Sequence, residues 1–80
     1  MPLVFRWNGL RFYFYSNEGD PREPVHIHVN RDQADAKFWL YSDVEHAYSH
    51  GFNARELRQM AEEIERRRDE IERAWHEHFG

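Results

Sequence analysis

The Asn8-Gly9 pair constrains this chain more than any other feature. It stands between Leu3-Val4-Phe5-Arg6-Trp7 and Leu10-Arg11-Phe12-Tyr13-Phe14-Tyr15, two runs rich in aromatic and branched residues. Such runs favour strands. Asn-Gly is the preferred loop of a two-residue type I′ hairpin, because both of its positions require φ > 0. The loop then fixes the register. Trp7 opposes Leu10, Arg6 opposes Arg11, Phe5 opposes Phe12, Val4 opposes Tyr13 and Leu3 opposes Phe14. Cross-strand partners share a face. One face is therefore Leu3, Phe5, Trp7, Leu10, Phe12 and Phe14, wholly apolar. The other carries Val4, Arg6, Arg11, Tyr13 and Tyr15.

The rest of the first fifty residues extends this sheet. Ser16 to Pro24, with Asn, Gly, Asp and two prolines, reads as a loop. Val25-His26-Ile27-His28-Val29 alternates cleanly and reads as a third strand. Asn30 to Asp35 is a polar turn, and Ala36 to Tyr41 is a fourth strand. Val44 to Tyr48 fits a short fifth strand or a helical turn, and periodicity does not separate the two. Alternation points Val25, Ile27, Val29, Ala36, Phe38 and Leu40 to the core. It places His26, His28, Lys37, Trp39 and Tyr41 on the same outer face as Arg6, Arg11, Tyr13 and Tyr15.

The remainder reads as one long helix over residues 53–79. Asn53 is an N-cap and Glu56 completes a capping-box pattern, with Phe52 and Leu57 placed as a hydrophobic staple. Leu57, Met60, Ala61, Ile64, Ile71, Ala74, Trp75 and Phe79 fall near helical spacing. No proline or glycine interrupts Ala54 to Phe79. Such a helix would span about 39 Å and cross the whole sheet. The fold class expected is α+β: an antiparallel sheet of four to five strands with one long C-terminal helix on one face. Residues 1–80 form a single domain on this reading.

Composition excludes several function classes. The chain has 80 residues, no cysteine, 16% aromatic and 32% charged residues, and a mean hydropathy of −1.02. A disordered tail would lack the aromatics, and disulfides and thiolate metal sites are excluded. No apolar run approaches the roughly 18–20 residues of a membrane span. The start has no apolar core of a signal peptide, so a cytoplasmic protein is expected. Net charge is −4, carried by the second half, which argues against an overall basic nucleic-acid footprint.

Several side chains invite chemical roles. His26 and His28 lie two apart on a strand, about 7 Å, so two imidazoles can converge on a metal or phosphate. A metal needs a third ligand, from His46, His50 or Glu45. The plainer reading is two polar positions stacking on tyrosines. His46 and His50 share a metal only if their segment is helical, since on a strand they stand about 13 Å apart. His76 and His78 do not face each other on a helix and suit its C-terminal dipole. Arg68 interrupts the apolar stripe of the helix. Its head either reaches the rim, pairing with Glu72, or ties the helix to the sheet through Glu18 or Asp35. A nuclease built from His26, His28, Arg6, Arg11 and Tyr13 satisfies the needs of phosphodiester cleavage, an acid, a base and a cation. Many binding surfaces hold the same residue types.

Three stretches together resemble a known family: Met1 to Trp7 running into Gly9 to Glu18; Pro24-Val25-His26-Ile27-His28-Val29 leading to Ala36-Lys37-Phe38-Trp39-Leu40; and Gly51-Phe52 through Glu56-Leu57 to Ala74-Trp75-His76-Glu77-His78-Phe79-Gly80. The family comprises small bacterial proteins of unknown function, typed by a Pro-Pro-His-Val-His-Val stretch. Val25 here replaces its second proline. The resemblance implies a place near toxin–antitoxin-like gene pairs and carries no established reaction. The His-x-His pattern is superficially similar to histidine-triad hydrolases, but Asn30 stands where the third histidine belongs. Three functions follow. The first is a binding module that docks a partner protein or a second copy through Tyr13, Tyr15, Lys37, Trp39 and Tyr41. The second is a small RNA-directed enzyme, and the third a metal module on His26 and His28. No cofactor and no membrane contact are expected.

Overall fold

A computed structural model describes residues 3–16 and 23–80. Among these, five strands form one antiparallel sheet in the order β1-β2-β3-β4-β5. They are β1 (Leu3–Trp7), β2 (Leu10–Tyr13), β3 (His26–Arg31), β4 (Ala34–Trp39) and β5 (Glu45–His50). Two helices follow, α1 (Ala54–Arg66) and α2 (Arg68–Phe79). None of the helices is long and apolar enough to cross a membrane.

The first hairpin forms as its turn dictates. Asn8 and Gly9 adopt φ of 56° and 77°, and Trp7 pairs with Leu10, Arg6 with Arg11 and Phe5 with Phe12. Beyond Phe5 the register departs from expectation. Val4 is an extra residue in β1, so Leu3 meets Tyr13 rather than Phe14. A bulge of this kind twists an edge strand, and Leu3 ends 47% exposed instead of in the core. The β3–β4 turn is shorter than the sequence suggests. Arg31 pairs with Ala34, Asp32 takes φ of 55°, and the Asn30 side-chain amide donates to the carbonyls of Asp32 and Ala34.

The segment left open as strand or helical turn is strand β5. Ala47 is its extra residue, because Lys37 pairs with Tyr48 and Phe38 with His46. Both edge strands thus carry a bulge, a device that hinders sheet-edge pairing with other chains. Gly51 then turns the chain toward the helices with φ of 87°, where a Cβ would lie 2.9 Å from that of Ala34.

The cap of α1 is as expected. Asn53 Oδ1 accepts from the Glu56 N–H at 2.8 Å, and Glu56 Oε1 accepts from the Asn53 N–H at 3.0 Å. Glu56 also accepts from Arg31 at 2.6 Å, tying the end of β3 to the start of α1. The single long helix over 53–79 is a correction. It breaks at Arg67, whose φ and ψ are −104° and 19°. The Arg67 N–H is shared between the carbonyls of Glu63 and Ile64. The Arg67 guanidinium binds the buried Glu63 carboxylate at 2.7 Å and lies 4.1 Å over the Phe5 ring. The apolar stripe lacks a hydrophobic residue between Ile64 and Ile71. The stem of Arg67 fills that gap.

The core lies on the inner face of the sheet. Phe5, Leu10, Phe12, Phe14, Ile27, Val29, Ala36, Phe38 and Leu40 pack with Met60, Ile64, Ile71 and Trp75. Phe5 and Phe12 stack at 4.3 Å, and Trp75 meets Phe14 edge-on at 5.2 Å. Burial of such side chains stabilises by about 1.5–3 kcal/mol each, which is how a chain without disulfides holds together.

Candidate functional site on the outer sheet face

Strand pairing arranges the outer face in three rows. Arg6, Arg11, Asn30, Asp35 and His50 oppose one another in sequence across the five strands. The second row is Tyr13, His28, Lys37 and Tyr48. The third is His26, Trp39 and Glu45. The rows follow from alternation along each strand, so the sequence placed most of these residues on one face correctly.

Their exposure is another matter. His26, His28 and Tyr13 lie on the outer face yet are only 0%, 4% and 6% exposed. The sequence places the two histidines as polar outward positions stacking on tyrosines. That stacking is present at His28, and ring packing contributes to the burial. Tyr13 stacks on His28 at 5.6 Å, and Tyr15 meets His28 edge-on at 4.5 Å. The Tyr13 and Tyr15 hydroxyls stand 3.4 Å apart. Burial, and after it the Tyr15 hydrogen bond, pushes the Tyr13 phenol above its ordinary range.

His26 sits where the two faces meet. Its ring contacts His28 and Trp39 on the outer face and Trp75 of α2 at 5.0 Å. Its Nδ1–H donates to the Pro24 carbonyl at 2.9 Å. A carbonyl only accepts, so this bond fixes the proton on Nδ1. Lys37 Nζ lies 4.2 Å over the Trp39 ring and 3.6 Å from Glu23. Glu23 therefore brings the segment before β3 against the outer face.

The rim of the face is open. Tyr15, Tyr41 and Tyr48 are 40%, 59% and 49% exposed, and Tyr41 flanks Trp39 at 6.3 Å. Lys37 and Trp39 are half-buried, and Arg6 and Arg11 are exposed. Tyr48 is absent from the residues the sequence singles out for binding. Its segment could not be assigned, because the extra residue Ala47 breaks the alternation that would have revealed it.

Other sequence candidates separate. His46 pairs with Phe38 on the inner side and His50 with Asp35 on the outer, so the two do not converge. Among the described residues, no group of three or more His, Asp or Glu is placed to hold a metal ion. Arg68 does tie helix to sheet, through the Leu40 carbonyl rather than Asp35. It also binds Glu65 at 2.8 Å and lies 3.9 Å from Glu72. Glu18 lies outside the described residues. The hydrogen bond from Arg68 holds the Glu65 carboxyl below its usual range and raises the guanidinium above its own.

Clefts of about 240 Å³ beside Leu3, Phe14 and His78 and about 260 Å³ beside Leu40, Tyr41 and Arg68 lie along α2. Neither is lined by His26, His28 or Tyr13. The outer face has a buried centre and an aromatic rim.

This α+β scaffold, a five-stranded meander with two helices on one face, is that of a family without an assigned activity. Residues 9–76 match the Domain of unknown function (DUF4160), and the chain belongs to that family. No curated protein and no solved structure matches it.

Proposed function

We propose that the chain is a protein-binding module whose docking surface is the outer sheet face, acting as one component of a toxin–antitoxin-like pair. The observation that carries this reading is the exposure of Tyr15, Tyr41 and Tyr48 around the half-buried Trp39. Tyrosine and tryptophan supply large contact area at low entropic cost and are enriched at interface centres. A contiguous aromatic surface on a small chain marks an interaction site. The paired-gene context is supported by the family resemblance of the sequence. The nuclease reading has less support, since His28 and Tyr13 are buried and His26 is fully so. Proton transfer needs a group within hydrogen-bond reach of substrate.

Co-expression with the product of the adjacent gene tests the proposal. A complex that survives gel filtration is expected. Tyr41→Ser combined with Tyr48→Ser should weaken it about 10- to 100-fold, as loss of interface anchors does. Failure of every neighbouring product to bind, with the chain monomeric at high concentration, would overturn the reading. Dimerisation through the same tyrosines would assign the surface to a second copy.

A further inference from the structure

We propose that Arg6 and Arg11 form a carboxylate-binding pair that receives an aspartate or glutamate side chain of the docking partner. The inference rests on the outer face being a docking surface, and it names what that surface recognises. Arg6 and Arg11 are direct cross-strand partners, one step from the turn-closing pair Trp7 and Leu10. Hydrogen-bonded and non-hydrogen-bonded pairs alternate along an antiparallel ladder. The turn-closing pair of a two-residue hairpin is hydrogen-bonded, so Arg6 and Arg11 form the close type, with Cα atoms about 4.5 Å apart. Both are exposed. Like charges directly opposite each other destabilise a sheet, and an anion between them reverses the sign.

Among the described residues, Lys37 and Arg31 already have partners. Lys37 lies against Glu23 and Trp39, and Arg31 binds Glu56. Among the described residues, Arg6 and Arg11 make no ion pair. Asn30, next to Arg11 in the row, directs its amide at the Asp32 and Ala34 carbonyls. Among the described residues of this face, the uncompensated positive charge thus lies on two adjacent guanidiniums. That suits one planar carboxylate, held by charge-assisted and bidentate hydrogen bonds. It does not suit a nucleic-acid strand, which is followed by a row of cations, and the chain's net charge of −4 opposes a polyanion.

The experiment uses the full chain and a capped tetraglutamate peptide, followed by NMR of the arginine Nε–H signals. Saturable shifts at Arg6 and Arg11 are expected, with roughly millimolar affinity. Either Arg6→Gln or Arg11→Gln should weaken binding about fivefold or more. Both variants should melt at or above the wild-type temperature, since each removes a repulsion, so loss of binding is not loss of fold. Absent shifts, shifts elsewhere, or binding indifferent to both substitutions would overturn the proposal. So would tighter binding of a single-stranded oligonucleotide at the same signals. Peptide binding at the arginines alongside partner capture indifferent to Tyr41 and Tyr48 would remove the docking reading alone. Tyrosine-dependent capture with no peptide binding would remove the arginine pair alone.

Discussion

The two faces of the sheet are both closed at their centres, by different means. On the inner face, helices lie across apolar side chains, and Phe12, Ile27, Val29 and Ile64 are fully buried. On the outer face, among the described residues, no helix lies over the strands. His28 and Tyr13 are nonetheless buried, beneath and beside neighbouring rings. The inner face is dry packing, whose driving force scales with apolar area. The outer is a polar aromatic layer, with hydroxyls, imidazoles and an ammonium that must each be satisfied where buried. Burial alone therefore does not mark the hydrophobic core in a chain this small. The contrast also separates the outer centre, which is buried, from its rim, where Tyr15, Tyr41 and Tyr48 are 40%, 59% and 49% exposed.

Trp75→Ala tests the inner side and should have the largest effect. Trp75 is 1% exposed and contacts Phe14, Phe79 and His26. Its loss is expected to cost about 3–5 kcal/mol by urea denaturation, near the whole stability of a small domain. Trp75→Phe keeps part of the contact and should remain folded with a lower midpoint. A cost below about 1 kcal/mol for Trp75→Ala would mean that α2 is not closing the inner core.

His28→Ala comes next and bears directly on the contrast. If the outer centre is structural, the change should cost about 2 kcal/mol, from a cavity and lost ring contacts with Tyr13 and Tyr15. A cost within about 0.5 kcal/mol, the range of ordinary surface changes, would mean that His28 does not hold the outer centre together.

How much of this was legible depends on whether a local rule decided it. The Asn8-Gly9 turn, the Phe5–Phe12 register and the Asn53–Glu56 cap follow from short-range chemistry and could be read directly. The bulges at Val4 and Ala47 could not, because an extra residue leaves no local mark beyond a broken alternation. The helix break is similar. Arg66, Arg67 and Arg68 are identical letters, and only their surroundings separate them: Arg67 lies over Phe5 beside the buried Glu63, Arg68 reaches the Leu40 carbonyl, and Arg66 stays exposed. Glu63 binds Arg67, and its 3% exposure leaves no mark in the sequence pattern. Alternation gave the outer face its membership. Its burial depends on what lies above the strands, which alternation does not encode.

A smaller effect is expected at the joint that carries the chain from sheet to inner helices. Hydrogen bonds from Arg31 first, and from the Asn53 N–H, hold the Glu56 carboxyl below its ordinary value of 4.5. A carboxyl lowered in the folded state stabilises fully above its unfolded value, and that contribution disappears as pH falls through the lowered one. Melting temperature should therefore drop on acidification below about pH 4.5. Glu56→Gln should be less stable than wild type at neutral pH and should show a shallower acid dependence. An unchanged acid profile in that variant would mean that the Arg31–Glu56 tie does not operate in solution.

Tyr41→Ser should have the smallest effect on the fold. At 59% exposure Tyr41 contributes little burial, so stability should change by less than about 0.5 kcal/mol. The prediction gains its force from pairing with His28→Ala. A protein whose outer face is uniformly structural would lose stability at both positions. A uniformly exposed face would lose it at neither. A buried centre with a binding rim gives a stability loss at His28 and a binding loss at Tyr41, two separable readouts on one sheet face. Denaturation and partner titration on the same two variants measure both. If Tyr41→Ser instead lowers stability as His28→Ala does, the rim belongs to the aromatic layer, and the surface left for a partner contracts to Tyr48 and the paired arginines.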